Sequence, residues 1–203
     1  MKQEKSTISL LRHGEPEGGA IFRGITDDLL TEAGWQQMNA AIENIENIDL
    51  ILSSPLRRCV DFAEKMASQR SLPIQKIDAL KEINFGQWEG QSVEKIATEA
   101  NNRLTNFWQN PVENTPPEGE PVLDFQQRVI SFWHELIASQ RGKNCLLVSH
   151  GGVQKMILAE VLKMPVQAMH NIEVPYGCCS TFNVYYSTSE AVITLKSHGN
   201  QAQ

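Results

Sequence analysis

Short apolar or β-branched runs alternate along this chain with longer stretches whose apolar residues recur at helical spacing. Residues 6–11 read as a buried strand that ends abruptly at Arg12-His13-Gly14. Thr31 then caps a predicted helix carrying Trp35, Met38, Ile42 and Ile45 on one face. A second strand is predicted over 49–53, after which Ser54 and Pro55 supply an N-cap and a favoured first residue for a helix reaching residue 69. Leu56, Val60, Ala63 and Ala67 form its inward face. A third short strand is predicted over 74–77, followed by a loop rich in Gly and aromatics, residues 82–90.

Ser92 caps a shorter predicted helix, and residues 111–121, with four prolines and Gly119, read as a loop. The next helix is predicted to turn Phe125, Val129, Phe132, Leu136 and Ile137 to one side. A buried strand over 145–149 runs into His150-Gly151-Gly152, which opens a helix with Val153, Ile157, Val161 and Leu162. Two closing strands are predicted over 179–186 and 191–196. Such alternation implies an α/β fold of three layers, α/β/α, around a mainly parallel central sheet. Ligands bind beyond the carboxyl ends of strands in these sheets. Arg12-His13-Gly14, Ser53 to Arg58 and Ser149 to Gly152 all stand at such ends.

At 203 residues and 22.8 kDa the chain suits a single domain, 1–203, with an insert at about 91–121. A net charge of −6 argues against nucleic acid or an anionic membrane as partner, so an anionic small molecule has to be met by a local cluster of cations. The segment before Arg12 is too short for a signal-peptide core and no run approaches a membrane span, so a cytoplasmic location is expected. Cys59, Cys145, Cys178 and Cys179 lack a CxxC spacing and are expected to be reduced, with no metal site.

Hydrolysis of a phosphate monoester without metal or cofactor requires a nucleophile, fixed positive groups for the phosphoryl oxygens and an acid for the leaving alcohol. His13 is the candidate nucleophile, provided one ring nitrogen is held as a donor, for example to a carbonyl at Gly14. Arg12, Arg58 and a protonated His150 are the candidate phosphate ligands, and Glu82 the candidate acid. Arg58 falls in the first turn after Ser54-Pro55, where free backbone N–H groups also favour an anion. Singly, each has a plainer reading: a strand-end histidine, a solvated helix start, a surface carboxylate. His134 and His170 read as structural or exposed.

Together and in this order, these elements resemble the histidine phosphatase superfamily, the phosphoglycerate mutase-like fold. The resemblance is carried by Leu11-Arg12-His13-Gly14-Glu15, by Gly24 ahead of Leu30-Thr31-Glu32-Ala33-Gly34, by Ser54-Pro55-Leu56-Arg57-Arg58, by Glu82, and by Ser149 to Gly152. It spans nearly the whole chain and implies catalysis by His13, Glu82 and His150, phosphate binding by Arg12, Arg58 and His150, and substrate contact at Gly24.

The phosphoglycerate mutases of the superfamily add arginines from the insert, whereas here it holds only Arg103, and Pro16 to Gly19 replaces an Asn-containing turn. The chain is more similar to the α-ribazole phosphatases of cobalamin nucleotide-loop assembly. That likeness is carried by Glu82 with Phe85, Gly86, Trp88 and Glu89, by Trp108 and Pro111, by Gly119-Glu120 before Phe125 and Arg128-Val129, by Met164-Pro165, and by Gly177 to Ser180. It implies α-ribazole 5′-phosphate as substrate, with Phe22, Phe85, Trp88 and Trp108 as candidate contacts for the flat base. Two other readings stay open: a related sugar-phosphate or nucleotide phosphatase of broader specificity, and an inactive phosphate-binding module.

Overall fold

In the computed structural model, which describes residues 4–99, 102–187 and 191–199, the strands are β1 (Lys5–Arg12), β2 (Leu50–Ser53), β3 (Ile74–Lys76), β4 (Asn144–Ser149), β5 (Cys179–Tyr186) and β6 (Ala191–His198). They form one sheet in the order β3-β2-β4-β1-β5-β6. The first four run parallel, while β5 pairs antiparallel with β1 and β6 antiparallel with β5, so the sheet is mixed and mainly parallel.

Alternation along the strands sends side chains to two apolar layers. Leu10, Leu52 and Leu147 face one side, against α5 (Val122–Ser139) and α6 (Gly151–Val161). Leu11, Ile51, Leu146 and Val148 face the other, against α1 (Glu32–Ile42) and α2 (Arg57–Arg70). The three-layer α/β/α arrangement is thus present.

Three local expectations change. Helix α2 starts at Arg57 with Leu56, not Ser54, at its N-cap position; the Ser54 hydroxyl accepts from Leu56 N at 3.3 Å and lies 2.7 Å from His150 Nε2. The backbone N–H of Arg57 is taken by Asp27 Oδ1 at 2.6 Å, so a carboxylate from a distant loop occupies the helix start assigned to a bound anion. In α5 the fully buried aromatics are Phe125 and Trp133, with Phe132 only packed alongside, since the inward stripe runs Phe125, Val129, Trp133 in steps of four. The 91–121 segment holds two helices, α3 (Val93–Glu99) and α4 (Arg103–Gln109), where one was expected. Ser92 Oγ does accept from Lys95 N, at 3.2 Å.

Candidate active site

The register between β1 and β4 builds the centre of the site. Arg12 pairs with Ser149, so the next residues, His13 and His150, leave adjacent strands side by side. The His13 N–H donates to the Ser149 carbonyl at 2.9 Å, and the two imidazoles meet edge to face with centroids 5.2 Å apart.

His13 Nδ1 lies 2.8 Å from the Gly14 carbonyl oxygen, which can only accept. Nδ1 therefore carries the proton and Nε2 keeps its lone pair. Burial, followed by the positive charges of Arg58 and Arg12, holds His13 well below the ordinary histidine range. The ring is a neutral imidazole with a free basic nitrogen.

His150 is fully buried, and its expected protonation is corrected here. Burial first, then Arg58, His13 and Arg12, push its pKa well below the ordinary value, so the ring is neutral in this structure.

Two arginines supply the fixed charge. The Arg58 guanidinium is fully buried and donates to the carbonyls of Thr26 and Gly24 at 2.6 Å each. Arg12 donates to the Val174 carbonyl and lies 4.2 Å from the centroid of the Tyr176 ring. The Nε atoms of both are buried without an acceptor among the described residues, donors that an anion can satisfy.

Glu82 reaches the same place from the loop after β3. One carboxylate oxygen accepts from Gly152 N at 2.9 Å and the other from Ile83 N at 3.0 Å. A Cβ on Gly152 would stand 2.3 Å from Glu82 Oε1, so only glycine admits the carboxylate at the head of α6. Arg128 anchors the loop: it donates to the carbonyls of Ala79, Lys81 and Glu82 and pairs with Glu120 at 2.7 Å.

Arg12, His13, Glu82, Gly151 and Gly152 form one end of a cavity of about 280 Å³. Its remaining wall is largely apolar, with Phe22, Phe85, Phe107 and Trp108 along one part and Met169, Val174 and Tyr176 along another. Arg58 and His150 are fully buried and are not in this wall.

The other substrate-contact expectations divide. Phe22 and Phe85 line the cavity, with ring centroids 5.0 Å apart. Trp88 does not: it is buried behind them, edge-on to Phe22 at 5.3 Å and Phe107 at 5.6 Å, because the short 3₁₀ turn Gly86–Trp88 points it inward. Gly24 is also outside the wall, its carbonyl bonded to Arg58 and its N–H to Glu89 Oε2 at 3.2 Å. Glu89 gathers the N–H groups of Gly24, Ile25, Thr26 and Phe85, so it ties the loop beneath Arg58 to the aromatic loop.

Several wall residues went unseen in the sequence. Arg23, held by Asp28 at 2.6 Å and by the Glu17 and Gly19 carbonyls, brings another cation to the cavity from beside the Pro16 to Gly19 turn. Phe107, Tyr176 and Lys155 also line it, and so does His170, packed on Trp108 at 4.8 Å. Lys155 carried a findable signal, one turn beyond Gly151. Arg103 is exposed and away from this cavity. All four cysteines are free and buried. Among the described residues no helix is long and apolar enough to cross a membrane.

A mainly parallel α/β sheet carrying two histidines, two buried arginines and a carboxylate at its strand ends matches a known class: residues 8–196 fit the histidine phosphatase superfamily (branch 1), and the chain belongs to that family. It is 32% identical over 183 residues to the adenosylcobalamin/alpha-ribazole phosphatase of Escherichia coli K12, covering 86% of this chain and 88% of that one. The solved alpha-ribazole phosphatase from Shigella flexneri superimposes with a TM-score of 0.79 at 30% identity, covering 97% of this chain and 99% of that one. Mycobacterial glucosyl-3-phosphoglycerate phosphatase superimposes with a TM-score of 0.83 at 25% identity, covering 98% and 100%.

Proposed function

We propose that the protein is a phosphatase that hydrolyses α-ribazole 5′-phosphate to α-ribazole and phosphate through a phosphohistidine on His13. His13 Nε2 attacks phosphorus, and the bond to the ester oxygen breaks as that oxygen takes a proton from Glu82. Water then attacks phosphorus and gives a proton to Glu82 as the P–N bond breaks, which releases phosphate and restores His13. Arg12 and Arg58 hold the phosphoryl oxygens, His150 stands against the nucleophile, and the Arg58-bound Gly24 loop closes the floor.

The observation that carries the substrate is the continuity of the cavity from His13 and Arg12 into a wall of Phe22, Phe85, Phe107 and Trp108. A primary phosphate on a ribose bearing a flat apolar base suits that sequence of surfaces. The E. coli and Shigella relatives, named for the same ester, support it.

The test is kcat/KM on α-ribazole 5′-phosphate against ribose 5-phosphate. A preference of about 100-fold, most of it lost in Trp108→Ala, is the expected result. Equal efficiency on both esters would replace this reading with a broader sugar-phosphate phosphatase.

A further inference from the structure

Lys155 lines the cavity with a charge that neither the phosphate chemistry nor an ion pair among the described residues uses. It follows Gly151 by four positions and Gly152 by three, so α6 carries it on the face that both glycines present. Gly151 packs against the Arg12 side chain and Gly152 against Glu82, so Lys155 stands one helical turn beyond the phosphate end.

Other cations near the site are held. Arg23 is paired with Asp28 and Arg128 with Glu120, whereas no hydrogen bond or ion pair holds Lys155 among the described residues. A half-buried ammonium left without a partner beside a ligand cavity is a donor awaiting an acceptor.

Its surroundings say what kind of acceptor. Burial lowers Lys155 below the usual lysine range, while the charges felt most strongly are Glu82, then Arg12, then Glu173. Lys155 in turn acts on His170, whose ring packs against Phe107 and Trp108. It lines the same cavity as Arg12 and Glu82 at the phosphate end and as Trp108 and His170 at the aromatic end. A carboxylate or second phosphate there would gain Lys155 but face Glu82 and Glu173. A hydroxyl accepts from the ammonium and can donate its O–H to a carboxylate, satisfying both signs.

We propose that Lys155 is the specificity-determining residue for the sugar: its ammonium donates to ring hydroxyls of a pentose placed between phosphate and base. This rests on the reading of the cavity as a phosphatase site, and extends it from the base to the pentose.

The experiment compares ribose 5-phosphate with 2-deoxyribose 5-phosphate on the wild type, Lys155→Met and Lys155→Arg, with p-nitrophenyl phosphate as a sugar-free ester. The wild type should favour ribose 5-phosphate by about tenfold, as one hydrogen bond to a charged donor provides. Lys155→Met should bring that ratio close to one, mainly through a higher KM for ribose 5-phosphate, and Lys155→Arg should restore part of it.

No preference in the wild type, or a preference untouched by Lys155→Met, would overturn the assignment. So would equal losses on all three esters, which would make Lys155 a support for Glu82. If the pentose ratio depends on Lys155 while α-ribazole 5′-phosphate shows no advantage over ribose 5-phosphate, only the base reading fails. If no ester is turned over, the phosphatase reading fails, and the two sugar phosphates are compared by calorimetric binding, where equal affinities for the wild type would overturn the role of Lys155.

Discussion

His13 and His150 meet at 63° with their centroids 5.2 Å apart because Arg12 and Ser149 are paired one residue earlier across β1 and β4. His13 alone combines a Gly14-bound Nδ1 with a cavity-facing position. His13→Ala should lower kcat by at least about four orders of magnitude. Rapid quenching of the wild type should trap phosphate in an acid-labile, base-stable bond at His13. Label on a serine or cysteine would assign a different nucleophile.

Both imidazoles titrate low in the folded state and at the ordinary value, about 6.5, once unfolded. The unfolded chain therefore binds protons first as pH falls, so this contribution to stability is intact above about pH 6.5 and declines below it. His170, lowered to about 4 by burial with a smaller push from Lys155, adds to the same slope. Urea unfolding midpoints should fall between pH 7 and pH 5, and His170→Phe should flatten part of that fall. An unchanged slope in the variant would show that His170 is as accessible to protons when folded as when unfolded.

Glu82→Gln should slow hydrolysis of an alkyl phosphate about 100-fold more than that of p-nitrophenyl phosphate, whose leaving group needs little protonation. Equal losses on both esters would leave Glu82 a binding role, through its contact with Gly152 N.

Arg128 donates to the carbonyls of Ala79, Lys81 and Glu82 and to both carboxylate oxygens of Glu120, so Arg128→Met leaves five acceptor atoms short of a donor. A loss of about 2–4 kcal/mol in unfolding free energy is expected. The activity that survives should be weakest on alkyl esters, since the loop so released carries Glu82. Wild-type stability in this variant would mean that solvent replaces the guanidinium at no cost.

The phosphoryl charge is assigned to arginines with unpartnered buried Nε atoms, Arg12 and Arg58. Activity should therefore be indifferent to chelators, and vanadate should inhibit competitively by occupying the same donors. Recovery of a chelated enzyme on adding magnesium or zinc would contradict that assignment.

The sequence by itself determined the strand and helix alternation and the strand-end position of His13 and His150, because apolar periodicity and abrupt polar breaks are local properties. Arg58 and Glu82 were singled out there as candidates, with the resemblance to the histidine phosphatase superfamily favouring Arg58 over Arg57. The contact of Asp27 with the Arg57 N–H and that of Ser54 with His150 came only from tertiary structure, because they join groups 30 and 96 residues apart. So did the composition of the cavity. Trp88 and Trp108 look alike as exposed-loop aromatics in the sequence, yet the 3₁₀ turn buries the first behind Phe22 and α4 leaves the second at the wall. The place of Lys155 and Arg23 in the wall came only from the fold of α6 and of the loop before α1, because whether a long cation meets water or a cavity is settled by which elements close around it.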